Sequence, residues 1–103
     1  MATFQQIDVK GAKQHLESEN VVLVDIRDEN AFETAHVEGS FHLTNDTINQ
    51  FIKEFSFDKT VLVLCYHGNS SKGVAQYLCD QGYHDVYSVD GGFESWRITL
   101  LNE

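Results

Sequence analysis

Cys65-Tyr66-His67-Gly68-Asn69-Ser70-Ser71-Lys72 gathers the residue types in this chain that are best suited to covalent chemistry. The stretch follows the apolar run Thr60 to Leu64 and leads into a helical pattern beginning near Ser71. In α/β proteins a cysteine between the end of a buried strand and a helix N-terminus meets backbone N–H groups and positive dipole potential. Such a place suits an anion or a thiolate, and so fits phosphoryl, redox or sulfur chemistry alike. A thiol is a poor nucleophile at neutral pH unless its pKa is lowered, and converging amides can lower it. No proline interrupts residues 66–71, so every backbone N–H is available, and Gly68 permits the φ > 0 turn of a curled loop.

Each neighbour of Cys65 has an ordinary role beside a chemical one. His67 can act as a general base, but only two residues from Cys65 on a tight curve its ring is expected at the rim. Tyr66 is expected to shape the mouth. Ser70 and Ser71 are expected to cap the following helix and to offer hydroxyls to a bound anion. Lys72 falls in the first helical turn, where a cation is unfavourable, which points to an anion nearby; a solvated lysine is the plain alternative. Asn69 can donate or accept within the loop.

Outside the loop, Asp25 and Arg27 stand at a strand end, where such pairs more often fix neighbouring loops than catalyse; His36 is read the same way. Gly39, Gly91 and Gly92 read as turn residues and Trp96 as packing. His15, His42 and His84 show no metal-ligand spacing with the cysteines, so no metal is expected. Cys79 lies about nine residues along the helix from the loop, roughly 13 Å of rise, whereas bridged cysteines need Cα atoms within about 7 Å. It is read as a small apolar helix residue rather than a partner for Cys65.

The elements that must carry these residues alternate. Phe4 to Ile7 predicts a short strand, and Asp8 a cap for a helix to about Glu19. Val21 to Ile26 has the near-continuous aliphatic pattern of a strand buried on both faces. Asp28 is expected to cap a helical turn from Asn30 to Thr34, and Ser40 to Leu43 to form a short strand after Gly39. Ile48, Phe51, Ile52 and Phe55 recur as one apolar stripe of a helix capped by Asn45 or Asp46. Thr60 to Cys65 is a second apolar strand. The helix after the loop turns Val74, Ala75, Leu78 and Cys79 inward and stops at Gly82. Val86 to Val89 is the last strand, followed by a helix containing Phe93, Trp96, Ile98 and Leu100 to the chain end. Strands alternating with helices imply an α/β fold with a parallel sheet, right-handed crossovers and helices on both faces.

Composition bounds the function. A chain of 103 residues with no linker, repeat or low-complexity segment is expected to be one domain, residues 1–103. The net charge of −9, with seven scattered Lys and Arg, argues against nucleic acid and against anionic membranes. It also means that a small anion must be held by local amides, with or without Lys72. No apolar stretch reaches transmembrane length and the N-terminus lacks signal-peptide features, so a cytoplasmic protein with reduced thiols is expected.

Four short motifs in order resemble the rhodanese family over nearly the whole chain. Val24-Asp25-Ile26-Arg27 resembles its Asp-x-Arg segment, and Ala35-His36-Val37-Glu38-Gly39-Ser40 its His-Ile-x-Gly-Ala segment. Cys65 to Ser70 resembles its six-residue active loop, and Asp90-Gly91-Gly92-Phe93-Glu94-Ser95-Trp96 its closing Gly-Gly-x-x-x-Trp. The resemblance implies a single five-stranded parallel sheet in the order 1-5-4-2-3. It also implies a sulfurtransferase in which Cys65 takes sulfane sulfur from thiosulfate, releases sulfite and passes sulfur from a persulfide to cyanide or to a dithiol such as thioredoxin. Tyr66, His67, Gly68, Asn69, Ser70, Ser71 and Lys72 would hold the anion, and no cofactor is implied beyond the covalent persulfide. The alternative within this chemistry is a persulfide carrier or regulatory module loaded by a partner protein. Many rhodaneses have arginine where this loop has Ser70, which leaves amides, hydroxyls and Lys72 for the anion. A cysteine phosphatase on such a fold needs one more loop residue and an arginine gripping phosphate bidentately, and Ser71 stands at that place.

Overall fold

The computed structural model describes residues 3–101, and the side chains of 3–99. The chain runs β1 (Gln5–Ile7), α1 (Val9–His15), β2 (Val21–Asp25), α2 (Glu29–Thr34), β3 (Phe41–His42), α3 (Ile48–Glu54), β4 (Thr60–Leu64), α4 (Ser70–Gln81), β5 (Asp85–Val89) and α5 (Gly92–Leu101). All four strand pairings are parallel and the sheet order is β1-β5-β4-β2-β3, as expected.

Strict alternation along the central strands feeds two cores. Val22, Val24, Val61, Val63 and Val86 pack beneath α3 and α4 with Phe51, Ala75, Leu78, Cys79 and Tyr83. Leu23, Leu62, Leu64 and Val89 pack on the opposite face with Val9, Ala12, Phe93 and Trp96 from α1 and α5. Burial on both faces is the reason β2 and β4 read as unbroken aliphatic runs. The apolar stripe of α3 is as expected, with Phe51 wholly buried and Ile48, Ile52 and Phe55 against the same core. The side chain of Leu100 and the chain end beyond residue 101 lie outside the described residues.

Several local expectations need correction. The first helix stops at His15, not near Glu19, because Glu17 and Ser18 donate i→i−3 bonds that tighten the turn into β2. Neither Asn45 nor Asp46 caps α3: the Thr44 hydroxyl accepts from the N–H groups of Asp46 and Thr47, and Thr47 precedes the helix in αR conformation with no side-chain cap. Ser40 and Leu43 fall outside the two-residue β3. Ile26 and Cys65 stand just beyond β2 and β4, although Ile26 N–H still donates to Leu64 C=O at 2.9 Å. Asp8, Asp28 and Gly82 do terminate helices as expected, the two aspartates by accepting from Gly11 and Ala31 N–H. Among the described residues no helix is long and apolar enough to cross a membrane.

Candidate functional site

Cys65 emerges at the C-terminal end of β4, 3 % exposed, facing α4. Its thiol is a free one, as is that of Cys79. Gly68 N–H donates to Cys65 Sγ at 3.1 Å, and the sulfur also draws on the Ser71 hydroxyl and the N–H groups of Ser71 and His67. Burial alone pushes this thiol up, but these four donors outweigh it and the net displacement is downward. Cys79 shows the contrast: burial, with the Asp80 charge behind it, holds its thiol above the ordinary value.

The donors converge because α5 holds the other side of the loop. The first amides of a helix lack intrahelical acceptors. In α5 they are used on the loop: Phe93 N–H donates to Cys65 C=O at 2.7 Å and Glu94 N–H to Tyr66 C=O at 3.1 Å. In a trans peptide the N–H points opposite to the preceding C=O. Turning the Tyr66 carbonyl toward α5 therefore turns the His67 N–H toward the sulfur. Gly68 completes the curl with φ of +95°. Gly92 has φ of +61°, and a Cβ there would stand 2.5 Å from the carbonyl oxygens of Cys65 and Tyr66, so the Gly-Gly turn is what lets α5 approach.

Ser70 and Ser71 are not helix caps. Asn69 occupies that position in αR conformation, with no side-chain cap bond, and both serines lie inside the first turn. Ser70 is exposed. Ser71 has no exposure, and its Oγ lies 2.7 Å from Ser88 Oγ on β5. Tyr66 and His67 are exposed at the rim, with the Tyr66 hydroxyl donating to Asp28 Oδ1 at 2.5 Å. That bond holds the Asp28 carboxyl below its ordinary value and raises the Tyr66 phenol. Asn69 is exposed and Lys72 half-buried. Ring centroids of Tyr66 and His67 are 6.2 Å apart, and the contact of His67 with the sulfur runs through its backbone N–H.

Arg27 is tied into the frame. It is 5 % exposed, forks onto Asp25 with Nε and Nη2 bonds of 3.0 and 2.8 Å, donates to Ala35 C=O at 2.6 Å, and lies 3.8 Å over the Phe93 ring. It thus joins the end of β2 to α5 rather than presenting a free charge. Phe32 is stacked between His36 and His42, at centroid distances of 3.9 and 4.4 Å. His42 Nε2 is bonded to Arg27 C=O at 2.7 Å and braces the ends of β2 and β3, while His36 Nδ1 is bonded to Phe32 C=O at 2.6 Å at the end of α2. A separate cleft of about 580 Å³ is walled by Ile26, Leu43, Ile48, Val74 and Tyr77 and includes Asp28; Cys65 does not line it.

Two members of the site had weak signals in the sequence. Ser88 stands out only as a hydroxyl two residues after Val86, on the same inward face of β5. Asp28 announces itself as a cap and does not reveal its second bond to Tyr66.

Fold and site define an α/β domain with a buried cysteine at the C-terminal edge of a parallel sheet, its sulfur bonded by a loop amide. The family model for the rhodanese-like domain matches residues 8–99, and the chain belongs to that family. A rhodanese-like domain protein from Staphylococcus aureus is 26% identical with a TM-score of 0.78, over 90% of this chain and 91% of that one. A Rhodopseudomonas palustris protein, titled as of unknown function and a possible tyrosine phosphatase, is 27% identical with a TM-score of 0.78, over 93% and 81% of the two chains. The rhodanese-like domain of an Anabaena protein superimposes with a TM-score of 0.81 at 18% identity, over 91% and 74%, a likeness of fold alone.

Proposed function

We propose that this protein is a thiosulfate sulfurtransferase that works through a persulfide on Cys65. The observation that carries the reading is the thiol of Cys65, lowered by four converging donors in a loop without an arginine. The thiolate attacks the outer sulfur of thiosulfate; an Sγ–S bond forms, the S–S bond of thiosulfate breaks, and sulfite leaves with its electron pair. The terminal persulfide sulfur occupies the amide cup. Cyanide then takes that sulfur as thiocyanate and returns the thiolate. With a dithiol such as thioredoxin the sulfur moves to one thiol, and the second displaces it as hydrosulfide while a disulfide forms.

Tyr66, His67, Gly68, Asn69, Ser70, Ser71 and Lys72 make up the anion site in this reading, with backbone N–H groups and the Ser71 hydroxyl carrying most of the binding. Phe41-His42-Leu43-Thr44-Asn45-Asp46-Thr47 and residues 65–73 resemble the single-domain sulfurtransferase GlpE in particular, which favours thiosulfate as donor. Phosphoryl transfer is disfavoured, because Ser71 is turned wholly inward where a phosphatase arginine would stand.

The test is intact mass after incubation with thiosulfate, followed by sulfite release with cyanide or a dithiol. A gain of one sulfur that disappears in Cys65→Ser, with repeated sulfite release, is expected. No gain, or a gain surviving Cys65→Ser, overturns the reading. One round of loading without turnover would assign instead a carrier or regulatory module loaded by a partner.

A further inference from the structure

Ser88 is a buried hydroxyl to which the chemistry above gives no task. It stands in β5 in register with Val63, on the sheet face that packs against α4, and has no exposure. Burying a hydroxyl among aliphatic side chains is costly unless it is hydrogen-bonded. Its Oγ lies 2.7 Å from Ser71 Oγ, and Ser71, equally buried, stands in the first turn of α4 beside the loop, where its hydroxyl is among the groups that favour the Cys65 thiolate.

Proton counting sets the direction of this chain. Each serine hydroxyl has one proton to give. A thiolate only accepts, so where the Ser71 hydroxyl serves an ionised Cys65 its proton points at sulfur. The Ser71 oxygen is then the acceptor of the 2.7 Å contact, and Ser88 must be the donor. A hydroxyl that accepts a hydrogen bond is polarised into a stronger donor. With Ser88 absent, the Ser71 proton would lose both this polarisation and the constraint on its rotation.

We propose that Ser88 is a positioning residue for Cys65: its hydroxyl donates to Ser71 Oγ and so holds the Ser71 proton on the thiolate. The relay is internal and uncharged. His67 and Lys72 beside the loop, Arg27 and Asp28 after β2, Asp85 and Asp90 at the ends of β5, and Glu94 and Arg97 on α5 are all left in place when Ser88 changes. The importance of this relay to turnover rests on the sulfurtransferase reading, but the state of the thiol does not.

The experiment measures alkylation of Cys65 by iodoacetamide as a function of pH, resolved by peptide mass so that Cys79 is read separately. Wild type, Ser88→Ala, Ser88→Thr, Ser71→Ala and the double alanine variant are compared, each with a thermal melt. In Ser88→Ala the midpoint should move to higher pH, and the rate below it should fall about three- to fivefold, the equivalent of one weakened hydrogen bond. Ser88→Thr, which keeps the hydroxyl, should lie near wild type. In the Ser71→Ala background the second substitution should move the midpoint no further. An unmoved profile in Ser88→Ala, even with a lower melting temperature, overturns the proposal by making Ser88 a packing residue. A further shift on top of Ser71→Ala overturns it as well. Thiosulfate is absent from the assay, so failure of persulfide formation and failure of the relay are read separately.

Discussion

Gly92→Ala is the substitution that most directly asks whether α5 shapes the cysteine loop. At φ of +61° an alanine suffers the left-handed cost of about 1–2 kcal/mol. Its Cβ would also stand 2.5 Å from the Cys65 and Tyr66 carbonyl oxygens and the Tyr66 carbonyl carbon, all backbone atoms that cannot swing aside. Relief requires the loop and α5 to part, which lengthens the Phe93–Cys65 and Glu94–Tyr66 bonds of 2.7 and 3.1 Å. Losing both adds about 2 kcal/mol, for a total of about 3–4 kcal/mol. In a domain of this size that is a fall in melting temperature of about 12 °C or more. The freed Tyr66–His67 peptide would no longer aim its N–H at sulfur, so the thiolate of Cys65 should weaken in parallel. Gly39→Ala is the control: its φ of +84° carries the same left-handed cost, but a Cβ there meets nothing within 4 Å. The assay pairs thermal melts with the pH profile of Cys65 alkylation. If Gly92→Ala melts with Gly39→Ala and keeps the wild-type alkylation midpoint, the claim that α5 aims the loop amides is wrong.

The serines should separate. Ser70 is exposed, and Ser70→Ala should weaken thiosulfate binding by no more than about 1 kcal/mol, read as KM. Ser71→Ala removes a donor from sulfur and leaves the buried Ser88 hydroxyl without its partner. It should therefore cost about 1–3 kcal/mol in denaturant unfolding and slow alkylation below neutral pH; the reverse ranking of the two variants would contradict the donor assignment. For pH, the Cys65 thiol lies below its ordinary value of 9.0 in the folded state. The thiolate's contribution is thus fully present above about pH 9 and is lost as pH falls through the lower folded value. The stability difference between wild type and Cys65→Ser should grow as pH rises across that window, and a difference flat with pH would refute a thiolate-stabilising loop.

Secondary structure was legible wherever a short-range pattern sets it. The aliphatic runs of β2 and β4, the apolar stripe of α3 and the stops at Asp8, Asp28 and Gly82 depend on residues within a few positions of each other. The failures are also local in kind. Asn45, Asp46, Ser70 and Ser71 are all good capping residues by type, but Thr44 took the amides ahead of α3 and the sulfur took those ahead of α4. Capping preference yields when another acceptor is better placed.

The loop's chemistry divides the same way. Sequence alone determined that Cys65 would stand at a strand end before a helix, with free amides, a permissive Gly68 and no arginine. Tertiary structure decided the rest. Only folding brings Gly92 under the loop backbone, Arg27 over Phe93 and Ser88 against Ser71. The reason is that a thiolate's donors are selected by which carbonyls are held away from it. Here those carbonyls are held by a helix that begins more than twenty residues later in the chain.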